Sequence, residues 1–303
     1  MKSKKYLINK FPLRIKLLIN IIGFITSLIQ FKFFYNFNKI ITTGVNGKEL
    51  IKIKIAKNSN FIFFITDPYY NRLLYQKFEY EPEIKILLKK FKREKYTFID
   101  AGANLGYWSI IASSKEYGQK KTISIEPLKN NFNLLKLNQT NNINRFKIIN
   151  LAVGNKIGKS KIYYDDETAS NVGASLLRNN VKSNKYEIIK IDKIDNIINK
   201  FTIDNKIILK LDVEGNEINA LKGAARTLTK KILIIYEDHG SDFTHKNTRF
   251  LLNQKFQIYY IENNELFQIK LLKEIMLVKK NKNKGYNFFA TKNDDFINIL
   301  KKN

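Results

Sequence analysis

A short glycine-rich segment, D-A-G-A-N-L-G at residues 100–106, constrains the fold of this chain more than any other stretch. The apolar residues 96–99 before it predict a β-strand, and residues 107–112 after it predict a helix. A strand, a tight glycine turn and a helix N-terminus in this order are typical of a nucleotide-binding loop in an α/β protein. The simpler alternative is a plain strand-to-helix turn.

The spacing of the glycines narrows the class of nucleotide. Gly102 and Gly106 enclose Asn104, which gives G-x-N-x-G instead of the G-x-G-x-x-G that holds a dinucleotide pyrophosphate. Asp100 at the strand end would repel a pyrophosphate, because both groups are anionic. The same carboxylate suits a cofactor that lacks phosphate and carries an ammonium and a sulfonium group. S-adenosylmethionine is such a cofactor and is the expected ligand.

Predicted strands and helices alternate from about residue 84 onward. The further strands are expected at residues 121–126, 146–151, 206–212, 232–237, 256–261 and 286–291, and the helices at residues 83–92, 128–140, 217–228 and 243–253. Polar residues 165–185 and the Lys/Asn-rich residues 279–284 are expected to form loops. The alternation predicts an α/β sandwich around a mainly parallel sheet.

Four of the predicted strands end in an acidic residue: Asp100, Glu126, Asp212 and Glu237. Ligands of parallel sheets bind beyond the carboxyl ends of the strands, so these acids are expected to converge on one rim. Glu126 ends the strand after the glycine loop, where an acid commonly accepts hydrogen bonds from ribose hydroxyls. The alternative for Asp212 and Glu237 is that they cap the helices that follow them.

The same end of the sheet supplies candidates for a general base. Methyl transfer to oxygen is an in-line displacement, which a protein catalyses mainly by aligning donor and acceptor. A sugar hydroxyl is a weak nucleophile and gains from a base that accepts its proton. The candidate bases are Asp212, Glu214, Glu237 and His239, although a single histidine is more commonly an ordinary surface residue.

Composition excludes several classes of site. The 303 residues include no cysteine, which excludes disulfides, iron–sulfur clusters and thiol nucleophiles, and they include two histidines, so we assign no metal site. The net charge of +27 suggests a nucleic-acid partner. The lysines are scattered, however, even within the predicted strand at residues 51–55. We interpret them mainly as solvated side chains, with attraction to an anionic lipid, glycan or nucleic acid as the alternative.

The N-terminal segment differs from the rest of the chain. Residues 1–16 are basic and contain no acid, and residues 17–31 are apolar apart from side chains such as Asn20 and Gln30. This run is shorter than the ~20 apolar residues of a spanning helix, and no signal-peptide cleavage site follows it. Three interpretations are open: an in-plane membrane helix, a marginal signal anchor, or a helix packed on the domain. We favour the first, which keeps the catalytic part in the cytoplasm at the inner face of a membrane.

These patterns divide the chain into three units. Residues 1–44 form the basic and apolar segment, residues 45–83 a β-rich extension with a hairpin, and residues 84–303 the catalytic domain. The hairpin is expected from the β-rich runs at residues 49–55 and 60–66.

Several motifs together resemble the FkbM family of S-adenosylmethionine-dependent methyltransferases. The matching motifs are F-I-D-A-G-A-N-L-G-Y at residues 98–107, S-I-E-P at 124–127, L-A-V-G at 151–154, K-L-D-V-E-G-N-E at 210–217 and L-K-G-A at 221–224. Weaker matches are Y-E-P-E at residues 80–83, A-S-L at 174–176 and I-D-K-I-D at 191–195. The order and spacing agree from about residue 79 to about residue 291. The pair D-x-E-G-x-E and L-x-G-A is the most specific part of the resemblance.

The resemblance implies a Rossmann-like class I methyltransferase fold, with a mainly parallel seven-stranded sheet whose last strand is antiparallel. It also implies O-methylation of a hydroxyl on a sugar, a glycolipid or a related molecule. The N-terminal segment lies outside the family core, and the motifs do not encode the acceptor.

Motif matching further implies a role for individual residues. The methionine part of the cofactor would be surrounded by Asp100, Gly102, Asn104 and Gly106. Glu126 would bind the ribose, and Ala152 would approach the adenine. Asp212 and Glu214 would face the transferred methyl group and the acceptor.

Two other functions stay open at the level of sequence. An RNA methyltransferase is suggested by the charge, but the chain has no N-P-P-Y or cysteine motif for base methylation. A non-catalytic, cofactor-binding scaffold at a membrane is the other, and the intact acids and glycines count against it.

Overall fold

The computed structural model describes residues 13–28, 34–44, 49–75, 78–165, 173–177, 181–282 and 284–302. The α-helices in these residues are α1 Leu13–Leu28, α2 Phe34–Thr42, α3 Pro68–Asn71, α4 Pro82–Lys90, α5 Tyr107–Ala112, α6 Lys129–Asn141, α7 Ile194–Ile198, α8 Glu217–Lys222, α9 Lys246–Asn253, α10 Glu274–Val278 and α11 Asp294–Lys301. The strands in them are β1 Leu50–Ala56, β2 Ser59–Phe64, β3 Thr97–Ala101, β4 Lys121–Ile125, β5 Lys147–Ile149, β6 Ala152–Val153, β7 Gly158–Tyr163, β8 Tyr186–Asp192, β9 Lys206–Leu211, β10 Lys231–His239, β11 Gln257–Glu262, β12 Glu265–Ile269 and β13 Gly285–Thr291.

Within the described residues, the central sheet has eight strands in the order β12-β11-β13-β10-β9-β3-β4-β5. The neighbours from β5 to β10 are parallel, and β13 runs antiparallel to β10, as the sequence predicts. The eighth strand, β12, exceeds the seven expected. It pairs with β11 through a turn at Asn263 and Asn264, which both adopt positive φ angles typical of a two-residue hairpin.

The strands of this sheet are buried on both faces. Successive side chains of a strand point to opposite faces, so Phe98 and Ile208 belong to one apolar cluster, whereas Ile99 and Leu209 belong to the other. Helices cover both clusters, which explains why these strands read as continuous apolar runs in the sequence. The arrangement leaves the carboxyl ends of β3, β4, β9 and β10 as the place where loops converge.

A second, three-stranded sheet of order β6-β8-β7 packs next to the carboxyl end of β4. Its inward residues, which include Ile162, Ile189 and Ile191, form a small cluster with Leu128. The sequence does not predict β7 and β8, because the lysines on their outer face hide the apolar alternation. The predicted polar loop at residues 165–185 lies between these strands. Of that loop, residues 166–172 and 178–180 lie outside the described residues.

The predicted N-terminal hairpin is present as β1 and β2, and it is fixed to the domain by Asn138 of α6 and by Asn142, the residue that caps the end of α6. Asn138 exchanges two hydrogen bonds with the backbone of Ile62, at 2.7 and 2.9 Å. Asn142 does the same with Asn60, at 3.0 and 2.7 Å. Each side-chain amide thus takes the place of a neighbouring strand along the edge of β2. Asn138 also donates to the carbonyl of Leu105 at 2.9 Å, so the hairpin is joined directly to the glycine loop.

Helix α1 packs one of its faces onto the protein. Ile19 and Ile22 are buried, and Gly23 lies against Tyr75. This part of the segment matches the packed-helix interpretation, while residues 1–12 lie outside the described residues. Within the described part of the chain, no helix is both long enough and apolar enough to cross a bilayer.

Candidate functional site

A cleft of roughly 820 Å³, counted with the solvent at its mouth, opens at the carboxyl ends of the parallel strands. Its lining is formed by Tyr69, Tyr70, Tyr80, Gly102, Asn104, Ile125, Glu126, Pro127, Asn131, Leu151, Ala152, Val153, Ile162, Gly173, Ala174, Leu176, Asp212, Val213, Glu214, Asn216 and Glu237. The strand order places the residues after β4 and β5 on one side of the cleft and those of β9 and β10 on the other.

The glycine loop forms the floor between these two sides. Gly102 adopts a φ of 80° and lies so close to the next strand end that a Cβ atom would overlap the carbonyl oxygen of Asp212. Asn104 also has a positive φ, of 50°, which asparagine tolerates better than most residues. The backbone N–H groups of Gly102 and Ala103 both donate to the carbonyl of Ile125 at 3.0 Å. The loop is therefore locked against both neighbouring strands.

Glu126 lies beside this loop at the end of β4. Its carboxylate accepts hydrogen bonds from the backbone N–H groups of Asn104 at 2.9 Å and Leu128 at 3.0 Å. Burial outweighs these bonds and raises the pKa of Glu126 to about 7. A carboxylate held in this way by the glycine loop fits the sequence prediction of a group that accepts ribose hydroxyls.

Asp100 takes a deeper position than the sequence predicts. It is 1% exposed and, among the described residues, is not part of the cleft lining. Its carboxylate accepts a hydrogen bond from Ser109 at 2.6 Å, and Ser109 in turn bonds with Ser124 at 2.7 Å. Burial raises the pKa of Asp100, against the opposing effect of Lys210 on the adjacent strand. Asp100 therefore supports the loop from below instead of facing the cleft.

The side of the cleft next to β4 is apolar. Leu151 and Ala152 follow β5, and Ile162 and Leu176 reach in from the second sheet and the segment after it. Ala152 is 6% exposed and lies in β6. An apolar lining next to Glu126 suits an adenine ring, which motif matching places near Ala152.

The opposite side of the cleft is acidic. Asp212 forms a 2.8 Å ion pair with Lys210, whose side chain is 5% exposed. Glu214 stands at the cleft surface, yet the crowding of protein around it, together with Asp212, raises its pKa to about 8. Burial and the neighbouring Asp212 and Glu214 raise the pKa of Glu237 well above its usual range. One lysine thus faces three carboxyl groups that line the cleft.

The D-V-E-G-N-E loop that carries two of these acids is shaped by its last residue. Glu217 is buried, and its carboxylate accepts hydrogen bonds from the backbone of Val213 at 3.3 Å and Gly215 at 3.0 Å. Glu214 and Gly215 have φ angles of 50° and 97°. The second glutamate of the motif therefore holds the loop, so that Asp212 and Glu214 face the cleft.

Three tyrosines from the N-terminal extension complete the acidic side, and sequence reasoning missed them. Asp67 caps α3 through the backbone N–H groups of Tyr69 and Tyr70, at 2.9 and 3.1 Å. The hydroxyls of Tyr69 and Tyr80 lie 3.1 Å apart, and Tyr70 donates to Asn104 Oδ1 at 3.2 Å. The weak Y-E-P-E match at residues 80–83 was the sequence signal that could have identified Tyr80.

Two other predicted site residues do not reach the cleft. His239 is exposed, its Nδ1 atom lies 2.7 Å from the Ser241 hydroxyl, and it is not among the described residues of the lining. Gly106 caps α5 and packs against Leu135. The structure thus brings Gly102, Asn104, Glu126, Ala152, Asp212, Glu214 and Glu237 together around one cleft. Among the described residues, no group of three or more His, Cys, Asp or Glu side chains is arranged to hold a metal ion.

The raised pKa of buried Glu126 gives a pH dependence of stability. A carboxyl group that shifts from its ordinary value of 4.5 to about 7 binds its proton more tightly in the folded state than in the unfolded state. The free energy of unfolding of the ligand-free protein should therefore fall as pH rises from about 5 to about 7, by about 2 kcal/mol for this group. Urea unfolding at several pH values measures this slope.

The Glu126→Gln variant is the matched control for this experiment. It retains the shape and acceptor atom of the side chain but cannot ionise, so its stability should depend less on pH across the same interval. An unchanged slope in the variant would show that Glu126 is not the titrating group.

Comparisons with known proteins agree with this geometry. Residues 100–266, more than half of the chain, match the family model described as the methyltransferase FkbM domain. No curated protein matches the sequence.

Similar solved structures include an FkbM methyltransferase from Methylobacillus flagellatus, with 16% identity and a TM-score of 0.42 over 75% of this chain and 54% of that one. This chain thus spans about half the length of that protein. A precorrin-6y C5,15-methyltransferase from Geobacter metallireducens has 11% identity and a TM-score of 0.39 over 69% and 86% of the two chains. A tRNA methyltransferase from Bacillus subtilis has 10% identity and a TM-score of 0.37 over 70% and 65%.

Proposed function

We propose that this chain, which belongs to the FkbM family of S-adenosylmethionine-dependent methyltransferases, methylates a hydroxyl group of a sugar, a glycolipid or a related glycoconjugate. The observation that carries the proposal is the acidic side of the cleft. There the carboxyl groups of Asp212, Glu214 and Glu237 stand next to the rings of Tyr69 and Tyr80. Carboxylates accept hydrogen bonds from hydroxyl groups, and aromatic rings pack against the C–H faces of a sugar ring.

The cofactor fits the remaining lining. Glu126 would accept the ribose hydroxyls, and the apolar space at Ala152 would hold the adenine. Gly102 and Asn104 would lie under the methionine part, with Asp212 near its positive charge. Asp100 and Gly106 would affect cofactor binding indirectly, by holding the glycine loop in place. Asp100 is buried on the side of the loop away from the cleft, and Gly106 caps the helix that follows the loop.

We assign the general base to Glu237. Its carboxylate faces the cleft and, among the described residues, accepts no hydrogen bond, whereas Asp212 is paired with Lys210. A Cβ atom at Gly285 would overlap the Glu237 carboxylate, so this glycine makes room for it. The raised pKa of Glu237 makes it a stronger base than an ordinary carboxylate.

The reaction balances without a metal ion. S-adenosylmethionine supplies a methyl group on a sulfonium centre. When this cofactor is bound, the acceptor oxygen would displace S-adenosylhomocysteine from the methyl group as the leaving thioether, and Glu237 would accept the hydroxyl proton. Asp212 and the tyrosines orient the acceptor, which is the main contribution of a protein to such a displacement.

An RNA acceptor is the alternative suggested by the net charge. The cleft lining opposes it, because among the described residues it contains no lysine or arginine that could pair with a phosphate. The positive charge of the chain lies elsewhere, which fits a protein that binds a neutral acceptor in its cleft.

We further propose that residues 84–303 are the catalytic unit and residues 45–83 an extension that contributes part of the cleft. The enzyme would work in the cytoplasm, as a peripheral protein on the inner face of a membrane, with residues 1–38 as its anionic-membrane contact. The exposed apolar side chains of α1 and the basic character of the preceding residues support this location.

A labelled-methyl assay tests the function. Purified protein with methyl-labelled S-adenosylmethionine should label glycan or glycolipid fractions and leave total RNA unlabelled. The labelled product should survive base hydrolysis, since an ether bond resists it whereas a methyl ester does not. Labelling of RNA alone would overturn the assignment.

A further inference from the structure

Within the described part of the chain, helix α1 has one apolar face packed on the protein and a second set of exposed apolar side chains. Ile19 and Ile22 are 3% and 5% exposed, whereas Leu17, Ile21 and Ile25 are 51%, 55% and 41% exposed. The last three residues are spaced by four positions and therefore form one stripe along the helix. A line of exposed apolar side chains indicates an interaction surface, so a second partner is expected on this stripe.

The charge of the N-terminal segment indicates which kind of partner binds the stripe. Residues 1–48 contain eight lysines, one arginine and no acidic residue; the first acid of the chain is Glu49. Arg14 and Lys16 belong to α1 itself. An apolar stripe on a helix within a basic segment complements a lipid surface with anionic headgroups, because acyl chains solvate the apolar side chains and headgroups attract cations.

We propose that the exposed stripe of α1, formed by Leu17, Ile21 and Ile25, is a docking surface for an anionic lipid bilayer. The helix lies in the plane of the interface, because its opposite face is packed on the protein. This arrangement differs from a free amphipathic helix, since the folded domain itself holds the stripe outward.

The stripe is connected to the cleft. Helix α2 follows α1, and its buried Asn38 donates to the carbonyl of Thr66 at 3.0 Å and accepts a hydrogen bond from Asn71. Asn71 ends α3, the helix that carries the cleft residues Tyr69 and Tyr70. We infer an acceptor that is anchored in the same bilayer, a glycolipid; this step rests on the proposed function, whereas the docking surface does not.

Vesicle sedimentation of the full chain tests the docking surface. The protein should bind vesicles of equal parts phosphatidylcholine and phosphatidylglycerol, and bind vesicles of phosphatidylcholine alone much more weakly. Replacing both Leu17 and Ile21 with serine should weaken binding to the anionic vesicles by about tenfold or more. The matched control is Ile143→Ser with Ile157→Ser, which removes exposed apolar side chains of 82% and 69% exposure elsewhere on the molecule.

The outcomes separate the docking surface from the function. Equal vesicle binding by the serine variant and the wild type would overturn the docking surface. So would a dimer in solution that the serine variant dissociates, because a second copy would then cover the stripe. Unchanged S-adenosylmethionine affinity in the variant, measured by calorimetry, shows that the fold is intact. Stripe-dependent vesicle binding without methylation of any glycolipid would support the docking surface and overturn the proposed acceptor.

Discussion

Replacing Gly102 with alanine is expected to abolish measurable binding of S-adenosylmethionine and to lower the free energy of unfolding by about 3 kcal/mol or more. Two effects combine at this position. Gly102 has a φ of 80°, which a residue with a Cβ atom adopts only with strain. The added Cβ atom would also overlap the carbonyl oxygen of Asp212, a backbone atom at the end of β9 that has no flexible side chain to move aside. The loop and the strand end would have to separate, and the floor of the cleft would be lost.

Gly44→Ala is the matched control, because it separates these two effects. Gly44 has nearly the same φ, 77°, but a Cβ atom there would meet nothing within 4 Å. Its substitution should cost about 1 kcal/mol from strain alone and leave cofactor affinity unchanged. Urea unfolding and calorimetry measure both quantities. Wild-type affinity in the Gly102 variant would show that the cofactor does not sit on this loop.

The sequence was sufficient to predict the sheet and the loop for a physical reason. Strands β3, β9 and β10 are buried on both faces, so their apolar runs are continuous and easily recognised. The D-A-G-A-N-L-G segment follows one of these runs directly, which fixes its position at the carboxyl end of a strand. The motifs L-A-V-G and L-K-G-A also have a structural explanation. A Cβ atom at Gly223 of L-K-G-A would overlap the carbonyl of Gly154 in L-A-V-G, so the motifs meet because two backbones touch.

The sequence did not predict how deeply each acidic residue would be buried at the carboxyl edge of the sheet. Asp100 and Asp212 both come at strand ends in the sequence, but Asp100 is still inside β3, whereas Asp212 follows the last residue of β9. The first is therefore buried against Ser109 and the second opens into the cleft. His239 lies outside the cleft for a related reason. Strand β10 continues two residues past Glu237, which carries the histidine about 7 Å further along the strand.

The tyrosine side of the cleft was missed because it depends on contacts distant in sequence. Tyr69 and Tyr70 come from a short helix of the N-terminal extension, and no periodic pattern points them at the glycine loop. Their position follows from the pairing of Asn138 with Ile62, which attaches the hairpin to α6. Asparagines are common throughout this chain, so the sequence does not single out Asn138 and Asn142 as the residues that hold the hairpin.

The net charge of the molecule and the charge of its cleft are different properties. The net charge of +27 describes the surface, where the lysines are mostly solvated. The cleft does not share this charge: its described lining contains no lysine or arginine, and Lys210 pairs with the lining residue Asp212. Net charge alone would have favoured an anionic substrate, whereas the cleft favours a neutral or cationic one.

Replacing Glu237 with glutamine is expected to lower kcat by about 10²–10⁴-fold, the usual contribution of a general base. Glutamine has nearly the same size and should keep the affinity for S-adenosylmethionine within about threefold, which calorimetry measures. Glu214→Gln is the comparison variant. It removes a neighbouring carboxyl group that raises the pKa of Glu237, so it should make Glu237 a weaker base and lower kcat far less than the first substitution does.

The pH profile distinguishes a base from a merely structural carboxylate. Burial, together with the neighbouring Asp212 and Glu214, raises the pKa of Glu237 well above its usual range, so this group keeps its proton to a higher pH than an ordinary carboxyl group. Because a general base acts only when it has lost its proton, kcat/KM of the wild type should rise as pH increases through the raised pKa of Glu237 and then level off. The Glu237→Gln variant should lose most of this rise. A variant that keeps both the wild-type kcat and the wild-type pH profile would place the base elsewhere, and Asp212 and Glu214 would then be the remaining carboxyl groups of the cleft lining.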